Sequence, residues 1–326
     1  MSGAGSKGAY QAAVIQGLAN YAPNPEVNLT WDVVTGVSAG SLNTLAMSVY
    51  KPEEVQEGAA FIIDLWDSIP LNNAYGNWPG GILEGLFKQG GIFDLSPGVE
   101  WVTGQLGNRT VNRKASFAAT DSQSADYVIY DYNATGTQPD DIIEVAFASS
   151  SIPAAFPPTN KDGYTLVDGG VIWNLDVPSA VRRCKEIVDD EKDIIVDFIV
   201  VGNPVPDLVE DFSRYHTMEH FMRAQEINSF FNTMNDFNSS KILYPDVDFR
   251  YIVYPSEDVS TSLFPLDFSQ KQIDRCYEIG KKDAKNAVKL GPGVYGNILL
   301  DYTRRLKDGE HANLNEMINQ KLKGSD

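Results

Sequence analysis

The sequence predicts an α/β protein in which helices cover both faces of a mostly parallel central sheet, a three-layer α/β/α arrangement. Short apolar runs that fit buried strands alternate with helical segments along the 326 residues, which is typical of such sheets. The longest of these runs, residues 194–201, is broken only by Asp197 and fits a strand buried on both faces. With 43% hydrophobic residues, the chain can fill the core of one large domain.

The elements follow one another in a regular order. We predict strands at residues 31–36, 114–120, 127–132, 194–201 and 249–254, with a hairpin turn at Asp162-Gly163. We predict helices at residues 9–21, 39–50, 52–66, 139–150, 178–188, 207–241 and 270–288. Residues 69–93 are rich in glycine and apolar side chains and are predicted as a long connection. We expect one domain over residues 1–290 and a charged helical tail over residues 291–326.

Composition excludes several classes of partner. The 26 basic and 44 acidic residues give a net charge of −18, which disfavours nucleic acid and anionic lipid, so a membrane contact would have to be apolar. Cys184 and Cys276 are far apart and predict neither a disulfide nor a metal site. No apolar run is long enough to span a bilayer. We expect a soluble or peripheral protein, with the cytoplasm favoured and a secretory route open if an N-terminal segment is missing.

The opening GAGSKG places Gly3, Gly5 and Gly8 in a G-x-G-x-x-G pattern before a predicted helix. The N–H groups and dipole of such a helix start favour a ligand or transition state that carries negative charge. A dinucleotide-binding loop has the same spacing, with Glu26 in place to bind a ribose. That interpretation is disfavoured because Glu26 follows Ala-Pro-Asn-Pro, which does not fit the end of a central strand.

A second motif, GVSAG at residues 36–40, lies between a predicted strand and a predicted helix. This is the context of a nucleophile elbow, in which a sharp turn exposes Ser38 and the flanking Gly36 and Gly40 avoid collision. The alternative is a helix start with Ser38 as its N-cap.

A nucleophilic serine needs a base. None of the three histidines, His216, His220 and His311, follows a predicted strand. Asp168 of VDGG does, and burial would raise the pKa of its carboxyl group toward working pH. The alternative for Asp168 is an ordinary turn residue.

Residues 216–220 match H-x-x-E-H, a zinc-protease pattern, and both imidazoles would lie on one face of a helix. No third ligand is placed near them, so we expect surface histidines and no metal or cofactor.

Four segments in this order, GAGSKG, GVSAG, ASSSIPAAFPP at residues 148–158 and VDGG, resemble the patatin-like phospholipase family of serine acyl hydrolases. The segment SFAATD at residues 116–121 resembles a strand of that family, and the likeness extends from residue 3 to about 290. The resemblance implies that Ser38 is the nucleophile and Asp168 its dyad partner. It also implies an oxyanion hole made by the backbone N–H groups of Gly3, Ala4 and Gly5.

The resemblance also implies supporting positions: Lys7, Gly8, Gly36, Gly40, Gly169 and Gly170. Lys7 would keep the loop electropositive or pair with a carboxylate, unless it is a solvated surface lysine. Two departures from the family pattern stand out. Ala4 replaces the usual middle glycine and would be strained at positive φ, and the first strand of the family fold is missing, which would leave the loop loosely anchored.

We therefore expect a lipid acyl hydrolase that cleaves acyl esters of phospholipids or related glycerolipids through an acyl-enzyme. The alternative is a non-catalytic lipid-binding or assembly protein that kept the fold. Exposed apolar side chains of residues 69–93 would line the path of the substrate and touch a lipid surface, unless they serve ordinary packing: Trp78, Ile82, Leu83, Leu86 and Phe87.

Overall fold

The computed structural model describes residues 1–24, 29–69, 74–137, 141–202, 212–261 and 266–324. Within these ranges the helices are α1 Gly8–Tyr21, α2 Ala39–Ser48, α3 Val55–Ser68, α4 Gly81–Phe87, α5 Ser96–Leu106, α6 Ile142–Ala148, α7 Val177–Cys184, α8 Thr217–Leu243, α9 Gln270–Leu290, α10 Val294–Lys307 and α11 Leu314–Lys323. The strands are β1 Val33–Gly36, β2 Gly76–Asn77, β3 Phe93–Asp94, β4 Lys114–Asp121, β5 Tyr127–Tyr132, β6 Thr159–Lys161, β7 Tyr164–Asp168, β8 Ile195–Ile199 and β9 Asp248–Val253.

The three-layer α/β/α class is confirmed, but the sheet is mixed rather than mostly parallel. β1 and β4 are parallel, as are β8 and β9 in a separate pair. β5 and β7 both run antiparallel to β4, and β6 runs antiparallel to β7. Two of these pairings have a local reason: the short link between β4 and β5 and the Asp162-Gly163 turn between β6 and β7 close hairpins, and a hairpin can only join antiparallel strands.

The pairing along β4 brings two predicted catalytic residues together. β5 pairs with β4 over most of its length, which leaves the opposite edge of β4 to β1 and β7. On that edge Gly36 is opposite Phe117, and Asp168 is opposite Ala119. The C-terminal ends of β1 and β7 therefore face each other, with their partners two residues apart along β4.

Met1 and Ser2 lie between the ends of β1 and β8. The Met1 amino group donates to the Thr35 carbonyl (2.7 Å), and Val37 N–H donates to the Met1 carbonyl (3.1 Å). On the other side Ser2 N–H donates to the Ile199 carbonyl (3.1 Å). A cavity of about 300 Å³ continues between β1 and β8 from this point. The first residues of the chain thus join the two sheets by backbone hydrogen bonds.

Residues 69–93 are more ordered than a plain connection. They contain β2 and α4, and β2 pairs with β3, while α5 follows as an unpredicted helix. The Trp78 side chain, predicted as exposed, is half-buried and donates from Nε1 to the Gly91 carbonyl (3.0 Å). Residues 70–73 lie outside the described residues, as do residues 207–211 of the predicted long helix, which begins at Thr217.

The tail helices α10 and α11 pack on the same core as the rest of the chain. Their apolar side chains Tyr295, Leu299, Tyr302, Leu314 and Ile318 are buried in the main hydrophobic cluster. In the part of the chain that the structure describes, no helix is long and apolar enough to cross a membrane.

Candidate active site

Ser38 occupies a sharp turn between β1 and α2. Its backbone has φ +55° and ψ −129°, a region that costs a non-glycine residue about 1–3 kcal/mol and is concentrated at functional sites. A Cβ at Gly36 would lie 2.1 Å from the Gly40 carbonyl oxygen, and one at Gly40 would lie 2.5 Å from the Met1 carbonyl oxygen. Small residues are therefore required on both sides of the serine. This is the geometry of a nucleophile elbow and not of an ordinary N-cap, and the Ser38 side chain caps no helical N–H.

Asp168 lies at the end of β7, buried beside Ser38. Burial raises the pKa of its carboxyl group from 3.8 to about 6, although hydrogen bonds from the Ser38 hydroxyl and from Gly170 N–H act in the opposite direction. The Gly170 N–H lies 2.8 Å from Asp168 Oδ1. The carboxyl group is therefore a hydrogen-bond acceptor for the serine with a pKa suited to a general base near neutral pH.

The serines of the segment 148–158 form hydrogen bonds with the backbones of Ser38 and Asp168. Ser38 N–H donates to Ser149 Oγ (3.0 Å), and Ser150 Oγ donates to the Ser38 carbonyl (2.9 Å). Asp168 N–H donates to the Ser151 carbonyl (2.9 Å), and Gly169 N–H donates to the Ser149 carbonyl (3.4 Å). One short turn after α6 thus fixes the backbones of Ser38 and Asp168 relative to each other.

The glycine loop passes directly over the serine. A Cβ at Gly3 would lie 2.9 Å from Ser38 Cβ. Gly3 N–H donates to Asn174 Oδ1 (3.0 Å), and Asn174 Nδ2 donates back to the Gly3 carbonyl (3.4 Å). Within the described part of the chain, the N–H groups of Ala4 and Gly5 have no hydrogen-bond partner. Gly5 lines the same cavity as Ser38, so at least one free N–H group just before α1 belongs to a residue beside Ser38.

The departures noted at Ala4 and before Ser2 do not weaken this loop. Ala4 has φ −157°, which alanine adopts without strain, and the positive φ of +57° falls on Gly5. Gln11 Nε2 donates to the Ser2 carbonyl (2.7 Å), and Val201 N–H donates to Ser2 Oγ (2.8 Å). The loop is therefore anchored to α1 and to the end of β8.

A cavity of about 90 Å³ opens beside Ser38. Its walls are almost entirely apolar and come mainly from α2, α3, α5 and α6: Leu42, Leu45, Ala46, Leu65, Trp66, Ile69, Leu95, Trp101, Val102, Leu106, Phe147, Ile152, Phe156 and Phe268. Such a wall suits a hydrocarbon chain and offers little to a phosphate or a sugar.

Two of the remaining predicted residues, Lys7 and Gly8, lie where the glycine loop meets α1. Lys7 is half-buried rather than solvated. Burial lowers the pKa of its amino group, and the carboxylates of Glu226 and Asp258 act against this shift. The Gly8 carbonyl accepts from Asn43 Nδ2 (3.0 Å) at the start of α1. Glu26 lies outside the described residues.

The three histidines are not part of the candidate active site. His216, His220 and His311 are exposed. Glu219 of the H-x-x-E-H pattern accepts from His216 N–H (2.6 Å) at the start of α8, which is a helix-capping contact. Among the described residues, no group of three or more His, Cys, Asp or Glu side chains is placed to hold a metal ion.

The sequence model of the patatin-like phospholipase family matches residues 1–181, more than half of the chain. The chain belongs to this family. Membership in the patatin-like phospholipases supports lipid hydrolysis at the level of the family. Among solved structures, VipD from Legionella pneumophila is similar over 98% of this chain and 78% of its own, with 12% sequence identity and a TM-score of 0.43. No curated protein matches the sequence.

Sequence reasoning missed Asn174 and the separate tasks of Ser149 and Ser150. Asn174 reaches Gly3 across 171 residues, and an asparagine after an apolar triplet carries no local signal of such a contact. The serine run at residues 149–151 belongs to one of the four segments that resemble the family. Three consecutive serines after an apolar helix were the available signal, because buried hydroxyls require hydrogen-bond partners.

Proposed function

We propose that this protein is a serine acyl hydrolase that cleaves acyl ester bonds of phospholipids or related glycerolipids, as a phospholipase A or lysophospholipase. The observation that carries the proposal is the hydrogen bond from Ser38 to a buried Asp168 with a raised pKa, beside an apolar cavity. Membership in the patatin-like phospholipases supports the same reaction class.

In the first step, ionised Asp168 accepts the proton of the Ser38 hydroxyl while Ser38 Oγ attacks the ester carbonyl carbon. The new Oγ–C bond forms as the carbonyl π pair moves onto oxygen. A base with a pKa of about 6 is ionised at neutral pH and still basic enough to take the proton efficiently. The Ser38 hydroxyl donates to Asp168 and caps no N–H group of α2, so it is already paired with this base.

The developing oxyanion lies against the start of α1. We assign the N–H groups of Ala4 and Gly5 as its donors, because they are not used by other described residues. The third predicted donor, the Gly3 N–H, is already used by Asn174 Oδ1, so Gly3 is not assigned as a donor and contributes only the close approach of the loop to Ser38. A preorganised donor of this kind is worth about 10²- to 10³-fold in rate.

Collapse of this intermediate breaks the bond to the alcohol, and Asp168 returns its proton to the leaving oxygen. Ser38 then carries the acyl group, whose hydrocarbon chain fills the apolar cavity. Water, deprotonated by Asp168, attacks the acyl carbon, and Ser38 recovers its proton as the fatty acid leaves. Each step is balanced by one proton that moves through Asp168, so no metal or cofactor is invoked.

Labelling with a fluorophosphonate probe tests the nucleophile. Wild type should be labelled, Ser38→Ala should not, and Ser122→Ala, at an exposed serine, should be labelled like wild type. Mass spectrometry of lipids released from mixed glycerolipid vesicles would then identify the ester cleaved. A folded wild type that is neither labelled nor active would favour the non-catalytic lipid-binding alternative and would refute the proposal.

A further inference from the structure

Helix α4 presents an apolar face to solvent. Ile82, Leu83, Leu86 and Phe87 are 55–81% exposed, and their spacing puts all four on one side of the helix. Gly85, on the opposite side, is buried so closely that a Cβ would lie 2.5 Å from the Ile92 carbonyl oxygen. This packing fixes the rotation of the helix, so its apolar face points away from the protein.

This face is connected to the wall of the candidate active site. Gly91, which follows α4, forms a bridge to Ala154, and Ile92 N–H donates to the Ala154 carbonyl (3.0 Å). Phe156, two residues further, lines the cavity beside Ser38. A surface bound to α4 would therefore lie close to the wall of the cavity in which we place the acyl chain.

The face is electrically neutral on a strongly acidic protein. None of its four side chains is charged, while the whole chain has a net charge of −18. The one carboxylate within the helix, that of Glu84, accepts from Gly80 N–H (2.6 Å) and from Gln89 Nε2 (3.0 Å), and so turns back on its own segment. Long-range repulsion disfavours an anionic surface, whereas an uncharged apolar face suits a surface without net charge.

We propose that the apolar face of α4, formed by Ile82, Leu83, Leu86 and Phe87, docks the protein on a lipid surface whose head groups carry no net charge. The inference rests on the proposed function, since that surface would supply the ester substrate. Docking itself requires only burial of the apolar side chains in the lipid interface.

Flotation with vesicles of dialkyl-ether phosphatidylcholine tests the docking alone, because this lipid has no acyl ester to hydrolyse. Leu83→Ser combined with Phe87→Ser should lower binding at least about tenfold, because two large apolar side chains no longer enter the interface. The matched control is Ile242→Ser with Leu243→Ser. These residues of α8 are exposed to 73% and 64% but belong to another helix, and this variant should bind like wild type.

Equal binding by wild type and both double variants would overturn the proposal, as would equal loss in both. Stronger binding to phosphatidylglycerol vesicles than to phosphatidylcholine vesicles would overturn the choice of an uncharged surface. If the Leu83/Phe87 variant instead changed a dimer into a monomer without affecting flotation, the face would be covered by a second copy of this chain. Hydrolysis of a soluble short-chain ester by wild type needs no lipid surface, so its absence would be a failure of the proposed chemistry, whereas a failure of docking is read from flotation alone.

Discussion

Replacing Asp168 by asparagine should stabilise the fold while lowering the proposed activity by orders of magnitude. The pKa of the Asp168 carboxyl group is about 6 in the folded protein against an ordinary value of 3.8, so its ionised form is disfavoured by burial. At about 1.4 kcal/mol for each pH unit between the two values, ionisation lowers the free energy of unfolding by about 3 kcal/mol above pH 6. Asparagine resembles the protonated side chain and removes this penalty.

Because folding raises the pKa of Asp168, wild type loses stability as pH increases. As pH rises from 3.8 to about 6, the unfolded chain loses the proton first, so wild type loses stability over this range and nothing further above it. The advantage of Asp168→Asn over wild type should therefore be about 3 kcal/mol at pH 8 and about 1 kcal/mol at pH 4.5. The comparison between the two pH values cancels any packing effect of the amide.

Urea unfolding at both pH values measures this difference. Ser122→Ala, at an exposed serine that carries no titratable group, serves as control and should shift stability equally at pH 4.5 and pH 8. Ester turnover by Asp168→Asn should fall about 10²- to 10⁴-fold, the usual contribution of a general base. A stability difference that does not change with pH, or a variant that retains its activity, would refute the assignment of Asp168 as a buried base.

Three further outcomes are expected. The kcat/KM of wild type should rise about tenfold per pH unit below pH 6 and level off above it; a profile centred elsewhere would point to another base. Asn174→Ala removes the acceptor of the Gly3 N–H and should lower kcat about tenfold with KM unchanged. Asn174→Asp still accepts from the Gly3 N–H and should retain more activity. Equal loss of kcat in both variants would contradict a positioning role for Asn174. Ala46→Phe, in the cavity wall, should preserve turnover of acetyl and butyryl esters and abolish that of palmitoyl esters; unchanged chain-length preference would place the acyl group elsewhere.

The backbone around Ser38 and Asp168 could be predicted from sequence because glycine and serine at fixed spacings encode local geometry. Gly36 and Gly40 are required for a turn of five residues, and VDGG ends a strand at Asp168. The contact of Gly3 with Asn174 could not be predicted, since it depends on how residues 171 positions apart meet. The same holds for the antiparallel pairing of β7 with β4, because it joins Asp168 to Ala119, which are far apart in the sequence.

In the segment 69–93 the spacing of the apolar residues does not predict the secondary structure. Helix α4 has seven residues, fewer than two full turns, so its apolar positions are not distinguishable from those of a connection. The sequence predicts an exposed Trp78, but the side chain is half-buried. Its indole N–H donates to the Gly91 carbonyl, and an aromatic side chain whose polar atom is hydrogen-bonded packs readily against its neighbours.

The serine turn at residues 149–151 has a mechanical consequence. Because this turn holds the backbones of both Ser38 and Asp168, a small displacement of α6 would carry the two residues together and preserve their separation. The glycine loop has other attachments, to Asn174, Gln11 and Val201. Thermal motion should therefore separate Ser38 and Asp168 from the loop before it separates the two residues from each other. Of the two steps proposed above, heating would then impair oxyanion stabilisation before proton transfer.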